Sequence, residues 1–248
     1  MAVPADWQDT AARLTAALRL SVAPVAITFT DTPAEGVPPF AGPDARMPEP
    51  APDGRTGRVP AGCVFWVRAL ERTFATLPED HGNCSVGSLT HGLIDLATAA
   101  QRADVAALVD AGWVSPEVFL AIPVVTKRPA AIIYGPLAEA AQRPDVVLVR
   151  TSPQGVMTIG DAVPDLVIEG KPQCHIVAIA KEQNRPAASV GCALSRARTG
   201  MSASEMTCAL PGSRLEELTE AIEAAAAGDT AVAAYAGADA RRFAEVGR

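Results

Sequence analysis

Every strongly apolar run in this chain is short, and helical patterns lie between the runs. "APVAITFT" (23–30), "PAAIIYGPL" (129–137), "DVVLVRTSP" (145–153) and "CHIVAIA" (174–180) read as buried strands. "DWQDTAARLTAALRL" (6–20) repeats Trp7, Ala11, Leu14 and Leu18 at helical spacing, and "CVFWVRAL" (63–70) reads as β-like buried structure. "SLTHGLIDLATAAQRADVAALVDAGW" (88–113) reads as a helix pair. Ser115 and Pro116 open a further helix as N-cap and first helical residue. Ser202 with Glu205, and Ser213 with Glu216, have capping-box spacing, so two more helix starts are expected there. The second begins a helix over 215–227, followed by a short terminal one. Strands alternating with helices give an α/β or α+β fold, expected as a single domain over 1–248 with a mixed sheet flanked by helices.

One segment breaks the pattern. Residues 31–62 are dense in Pro and Gly and carry no hydrophobic period, so they read as a long loop, mobile or folded as a cover over a site.

Composition removes several functions. The net charge is −7 with no basic stripe, which argues against nucleic acid and against an anionic membrane surface. No apolar stretch reaches the roughly 18 residues of a membrane span, and the N-terminus lacks a secretory pattern. A cytoplasmic protein is expected, with its cysteines as thiols or ligands. No dinucleotide fingerprint, phosphate-binding loop or nucleophile elbow occurs.

The scarce reactive residues are the remaining signal. "HGNCSVGSLTHG" (81–92) holds two of the three histidines and one of the five cysteines. The cysteines are Cys63, Cys84, Cys174, Cys192 and Cys208, and none forms a CxxC pair, which argues against zinc ribbons and thioredoxin-like centres. Cys63 and Cys192 follow Gly62 and Gly191, and Gly87 lies just beyond Cys84. Glycine turns let a bulky group approach the backbone. From the residues alone, a shared metal site, core packing and a lone reactive thiol all stay open. His81 lies three residues before Cys84, within reach of a thiolate–imidazole pair, and His91 seven after it. His175 adjoins Cys174 on an expected strand, so the two should face opposite sides. Glu205 is a candidate catalytic acid, and Arg196 and Arg198 could clamp an anion.

The order "APVAITF", "GCVFW", "NCSVGSLTHG", "YGPL", "PDVVLVRTSPQGVMTIGDA", "PQCHIVAIA" and "SVGCALSRARTG" resembles the DUF169 or ArCR family of uncharacterised bacterial and archaeal proteins. The resemblance spans roughly Leu14 to Leu218. It implies that Cys63, Cys84, Cys174 and Cys192 belong to a shared pattern, with Cys208 outside it.

Four thiolates suit an iron–sulfur cluster or structural zinc. Zinc usually recruits close pairs, whereas these cysteines are scattered singly. The expectation is therefore a cluster, with 4Fe-4S favoured and zinc as the alternative. Its metal ligands would be Cys63, Cys84, Cys174 and Cys192, with Gly62, Gly87, Gly191 and Arg196 around it. The activity would be that of an oxidoreductase or lyase. It would act on a small molecule or with a redox partner protein, and a homo-oligomer is left open. The alternatives are a metal-free enzyme using Cys84 with His81 or His91, and a non-enzymatic small-ligand module.

Overall fold

The computed structural model describes residues 6–40, 61–170 and 172–246. Most of the Pro/Gly-rich segment expected as a loop or cover, 41–60, lies outside the described residues. Its first ten residues are irregular, apart from an isolated bridge between Pro39 and Ala75.

A seven-stranded mixed sheet organises the fold, in the order β2-β3-β1-β4-β7-β6-β5. Its strands are β1 (Val25–Thr30), β2 (Phe74–Thr76), β3 (Ala131–Pro136), β4 (Val146–Thr151), β5 (Val167–Glu169), β6 (Ala187–Ser189) and β7 (Met206–Pro211). The β5–β6 pair is parallel and the other pairs are antiparallel.

Period-two alternation splits each central strand between two cores. Val25, Ile27, Val146 and Leu148 enter one core with Phe65, Trp66, Tyr134 and Ile176. Ala26, Val147, Val149, Cys208 and Leu210 enter the other, against Leu14, Leu18, Ile159, Leu215 and Ile222. The second core is covered by α1 (Trp7–Leu18), α6 (Pro153–Ala162) and α9 (Leu215–Val246). Asp6 caps α1 by accepting from the Asp9 N–H, and Ser152 caps α6 by accepting from Gly155, with Pro153 at the first position.

The first core is covered by α2 (Gly62–Arg68) and α7 (His175–Gln183). Beyond it lies an annex of α3 (Ser85–Thr90), α4 (Leu96–Ala100) and α5 (Ala103–Asp110), packed through Val86, Leu89, Ala99 and Val105. α8 (Ala193–Thr199) packs on α2.

Several sequence expectations are corrected here. "CVFWVRAL" is helical, and so is "CHIVAIA". In α7, His175 through Ala180 are all buried, because the helix is enclosed by the sheet and the annex. A run buried all round shows no helical period, and tertiary burial overrides β propensity. The expected helix pair at 88–113 is broken into short pieces. The helix expected at Ser202 is absent: Glu205 accepts the Ser202 N–H within a turn, and the chain goes on into the central strand β7. The stretch after Ser115 is a single 3-10 turn, Pro116–Leu120. The two expected C-terminal helices are one helix of 32 residues.

Candidate functional site

The four pattern cysteines come from four different helix starts. Cys84, Cys174 and Cys192 are the N-cap residues of α3, α7 and α8, and none caps its helix through its side chain. Cys63 is the second residue of α2. Each stands where backbone N–H groups lack intrahelical acceptors and the local field favours negative charge.

The helix starts meet at the junction between the first core and the annex. All four cysteines line one cavity there, together with Gly62, Gly87, Trp66, His91, Gln173 and Arg198. The unfilled space is about 30 Å³, room for about two waters. All five cysteines of the chain are free thiols.

The electrostatics are those of clustered sulfur. Burial raises the Cys63 thiol, and the neighbouring Cys84 adds to the effect. Burial, then the charges of Cys84, Cys192 and Cys63, puts the Cys174 thiol well above its ordinary value. Arg198 opposes the rise at Cys63: its guanidinium reaches both Cys63 and Cys84, and it also donates to the Asn83 carbonyl at 3.3 Å. Burial thus favours the protonated form of Cys63 and Cys174. A bound metal would reverse that preference.

His91 is part of this wall, and His81 stands behind it. His91 donates from Nδ1 to the Gly87 carbonyl at 2.7 Å, which leaves Nε2 as a bare acceptor. Burial lowers its pKa to about 4, against the Gly87 hydrogen bond. His81 bonds through Nε2 to Thr76 Oγ1 at 3.0 Å, and Thr76 donates onward to Ile132. Burial, then His91, holds His81 well below the usual imidazole range. Gly62 lies against both rings: a β-carbon there would be in ordinary contact with them, 3.6 Å from His81 Nδ1 and 3.7 Å from His91 Cε1.

Residues 13–221 match the DUF169 family, described as Uncharacterised ArCR. The chain belongs to the DUF169 family. No curated protein and no solved structure matches it.

In this DUF169 chain, Cys63, Cys84, Cys174, Cys192, Gly62, Gly87, His91 and Arg198 share the cavity, while His81, His175, Gly191, Arg196 and Glu205 do not line it. Gly191 has a left-handed φ of +106°, and a β-carbon there would lie 2.7 Å from the Arg196 guanidinium. Arg196 in turn donates to the carbonyls of Val190, Ser202 and Glu205. These hydrogen bonds tie together Val190, Ser202 and Glu205, which lie outside the cavity lining. Glu205 pairs with Arg150 at 2.9 Å, and its hydrogen bonds to Ser202 and Arg150 hold its carboxyl low against burial. A carboxylate so engaged is a poor proton donor, which corrects the expectation of a catalytic acid. His175 begins α7 and bonds Glu169 at 3.3 Å; it lies on a helix and not a strand. Cys84 has Arg198 in reach, and no hydrogen bond joins it to His81 or His91 among the described residues.

Sequence reasoning missed Trp66 and Gln173, which carried no motif. It read Arg198 only as a companion of Arg196. Arg198 lies six residues after Cys192 near the end of the same short helix, a separation that does not share a helical face, so local spacing carried no signal for it.

Proposed function

We propose that this DUF169 protein holds an iron–sulfur cluster, of the four-iron type, through Cys63, Cys84, Cys174 and Cys192. The observation carrying the reading is that these four sulfurs, from four separate helix starts, line one cavity. The chemistry of the donor set fits. The wall offers four thiols and one guanidinium to offset negative charge. Glycine at 87 keeps the wall thin, since a β-carbon there would lie 3.5 Å from Cys84 Sγ. The small free volume is compatible with this set. Metal–thiolate bonds are about 2.3 Å, far shorter than the roughly 3.5–4 Å of non-bonded contact. Space probed by a water therefore understates room for atoms bonded to the sulfurs.

No three His, Cys, Asp or Glu side chains among the described residues are placed to hold a single metal ion. Structural zinc usually recruits its cysteines as close sequence pairs, whereas these four stand singly on four elements, which favours the cluster over zinc. When bound, such a cluster supplies electron transfer, or Lewis acidity at an iron lacking a thiolate. The chain's own residues hold it, exclude water from it and balance its charge through Arg198. The activity proposed is redox or cluster-assisted chemistry on a small molecule, or exchange of electrons with a protein partner. No helix among the described residues is long and apolar enough to cross a membrane.

The test is anaerobic purification followed by iron, zinc and acid-labile sulfide analysis with an absorbance spectrum. Brown protein with iron and sulfide in comparable amounts is expected. Colourless, iron-free protein refutes the reading, and zinc without sulfide replaces it with the structural alternative.

A further inference from the structure

Four polar atoms on the cavity residues are buried and have no hydrogen-bond partner among the described residues: His91 Nε2, Gln173 Oε1, Trp66 Nε1 and Ser195 Oγ, the last a rotatable hydroxyl beside Cys63 that can donate or accept. Two of them are locked in orientation from behind. His91 spends its Nδ1–H on the Gly87 carbonyl, so Nε2 must accept. Gln173 donates from Nε2 to Thr207 Oγ1 at 2.9 Å, and the Thr207 hydroxyl proton points to Met201 Sδ, so Oε1 must also accept. Trp66 Nε1 can only donate. His91 and Gln173 are 1% and 3% exposed, so bulk water does not meet their needs. Buried polar groups left unpaired are costly and rare, so each such group calls for a partner. Sulfur supplies no proton donor for the two acceptors once it is thiolate or sulfide.

The wall thus asks for one molecule with two polar hydrogens and one acceptor. We propose that it forms a subsite for a small uncharged carboxamide or ureido compound. The NH2 group donates to His91 Nε2 and Gln173 Oε1, and the carbonyl accepts from Trp66 Nε1. Apart from Ser195, the thiols and Arg198, whose guanidinium is engaged by Cys63, Cys84 and the Asn83 carbonyl, the remaining lining is apolar, which suits an uncharged ligand. This goes beyond the iron–sulfur reading and stands on nitrogen and oxygen atoms, not on the sulfurs.

The test is equilibrium dialysis of the protein as purified anaerobically, with labelled acetamide and labelled acetone as shape-matched probes. Saturable acetamide binding is expected, with acetone at least about tenfold weaker. Trp66→Phe, which removes the indole N–H, and Gln173→Met should each weaken acetamide about tenfold while leaving the thermal midpoint near that of the parent. If one variant fails to fold, the other and the acetamide–acetone comparison still decide. Equal binding of the two probes, binding of neither (water alone filling the wall), or folded variants that bind as the parent does overturns the proposal. Iron measured on the same samples separates the two ideas. Acetamide selectivity without iron removes only the cluster, and iron without selectivity removes only this subsite.

Discussion

Arg198 is the only permanently charged side chain among the described residues of the cavity wall. Its cation lies beside Cys63 and Cys84, so it favours whichever state of the site carries more negative charge. Arg198→Met is therefore expected to lower the reduction potential of a bound cluster and speed its loss to chelators, checked by redox titration and by iron release. Cys208 makes the opposite case. It is fully buried in the second core, and burial raises its thiol to about 12. Cys208→Ser should cost about 1–3 kcal/mol by burying a hydroxyl among apolar neighbours, read from denaturant midpoints, with iron content unchanged. Serine at Cys63, Cys84, Cys174 or Cys192 should instead reduce bound iron and sulfide, measured on folded protein.

At the scale of elements, α9 is two things in one helix. Leu215, Leu218 and Ile222 are buried against the sheet, whereas Val232, Tyr235 and Phe243 are 59%, 73% and 70% exposed. Asp229 still accepts a hydrogen bond from Thr158 of α6. Ending the chain after Thr230 should leave the thermal midpoint within a few degrees of the full protein, whereas Leu218→Ala should cost about 2–5 kcal/mol; calorimetry checks both. The strands β1, β3 and β4 were legible because each is a short β-branched run bounded by Pro or turn residues. The helix α7 was not, since its 175–180 run is buried on every side and loses its period; α2 was hidden by its β-branched and aromatic residues, although its buried positions Gly62, Phe65, Trp66 and Ala69 do fall at helical spacing. The strand β7 was missed because Ser202 and Glu205 do make the hydrogen bond of a capping box, inside a turn that no helix follows. The four cysteines were legible as a set only through their family pattern. Their meeting place depends on how three layers dock, which local spacing does not encode.

For the whole molecule, acid sensitivity follows from two imidazoles kept neutral in the interior. His91 titrates at about 4 in the fold against an ordinary value of 6.5, and His81 is displaced in the same direction. Between those values the unfolded chain binds more protons than the folded one. Stability is therefore full above pH 6.5 and falls as the pH drops toward 4, by roughly 3 kcal/mol for His91 alone. Urea midpoints at pH 7.5 and pH 5 should show the loss, and His81→Phe should make its slope shallower. The spread of the cavity lining from Ala61 to Arg198 has a different kind of consequence. A nascent chain still on the ribosome short of Cys192 has no such pocket, only isolated thiols open to oxidants. Loading of any inorganic centre must then wait for release and docking of the later helices, so maturation becomes a checkpoint on a completed fold.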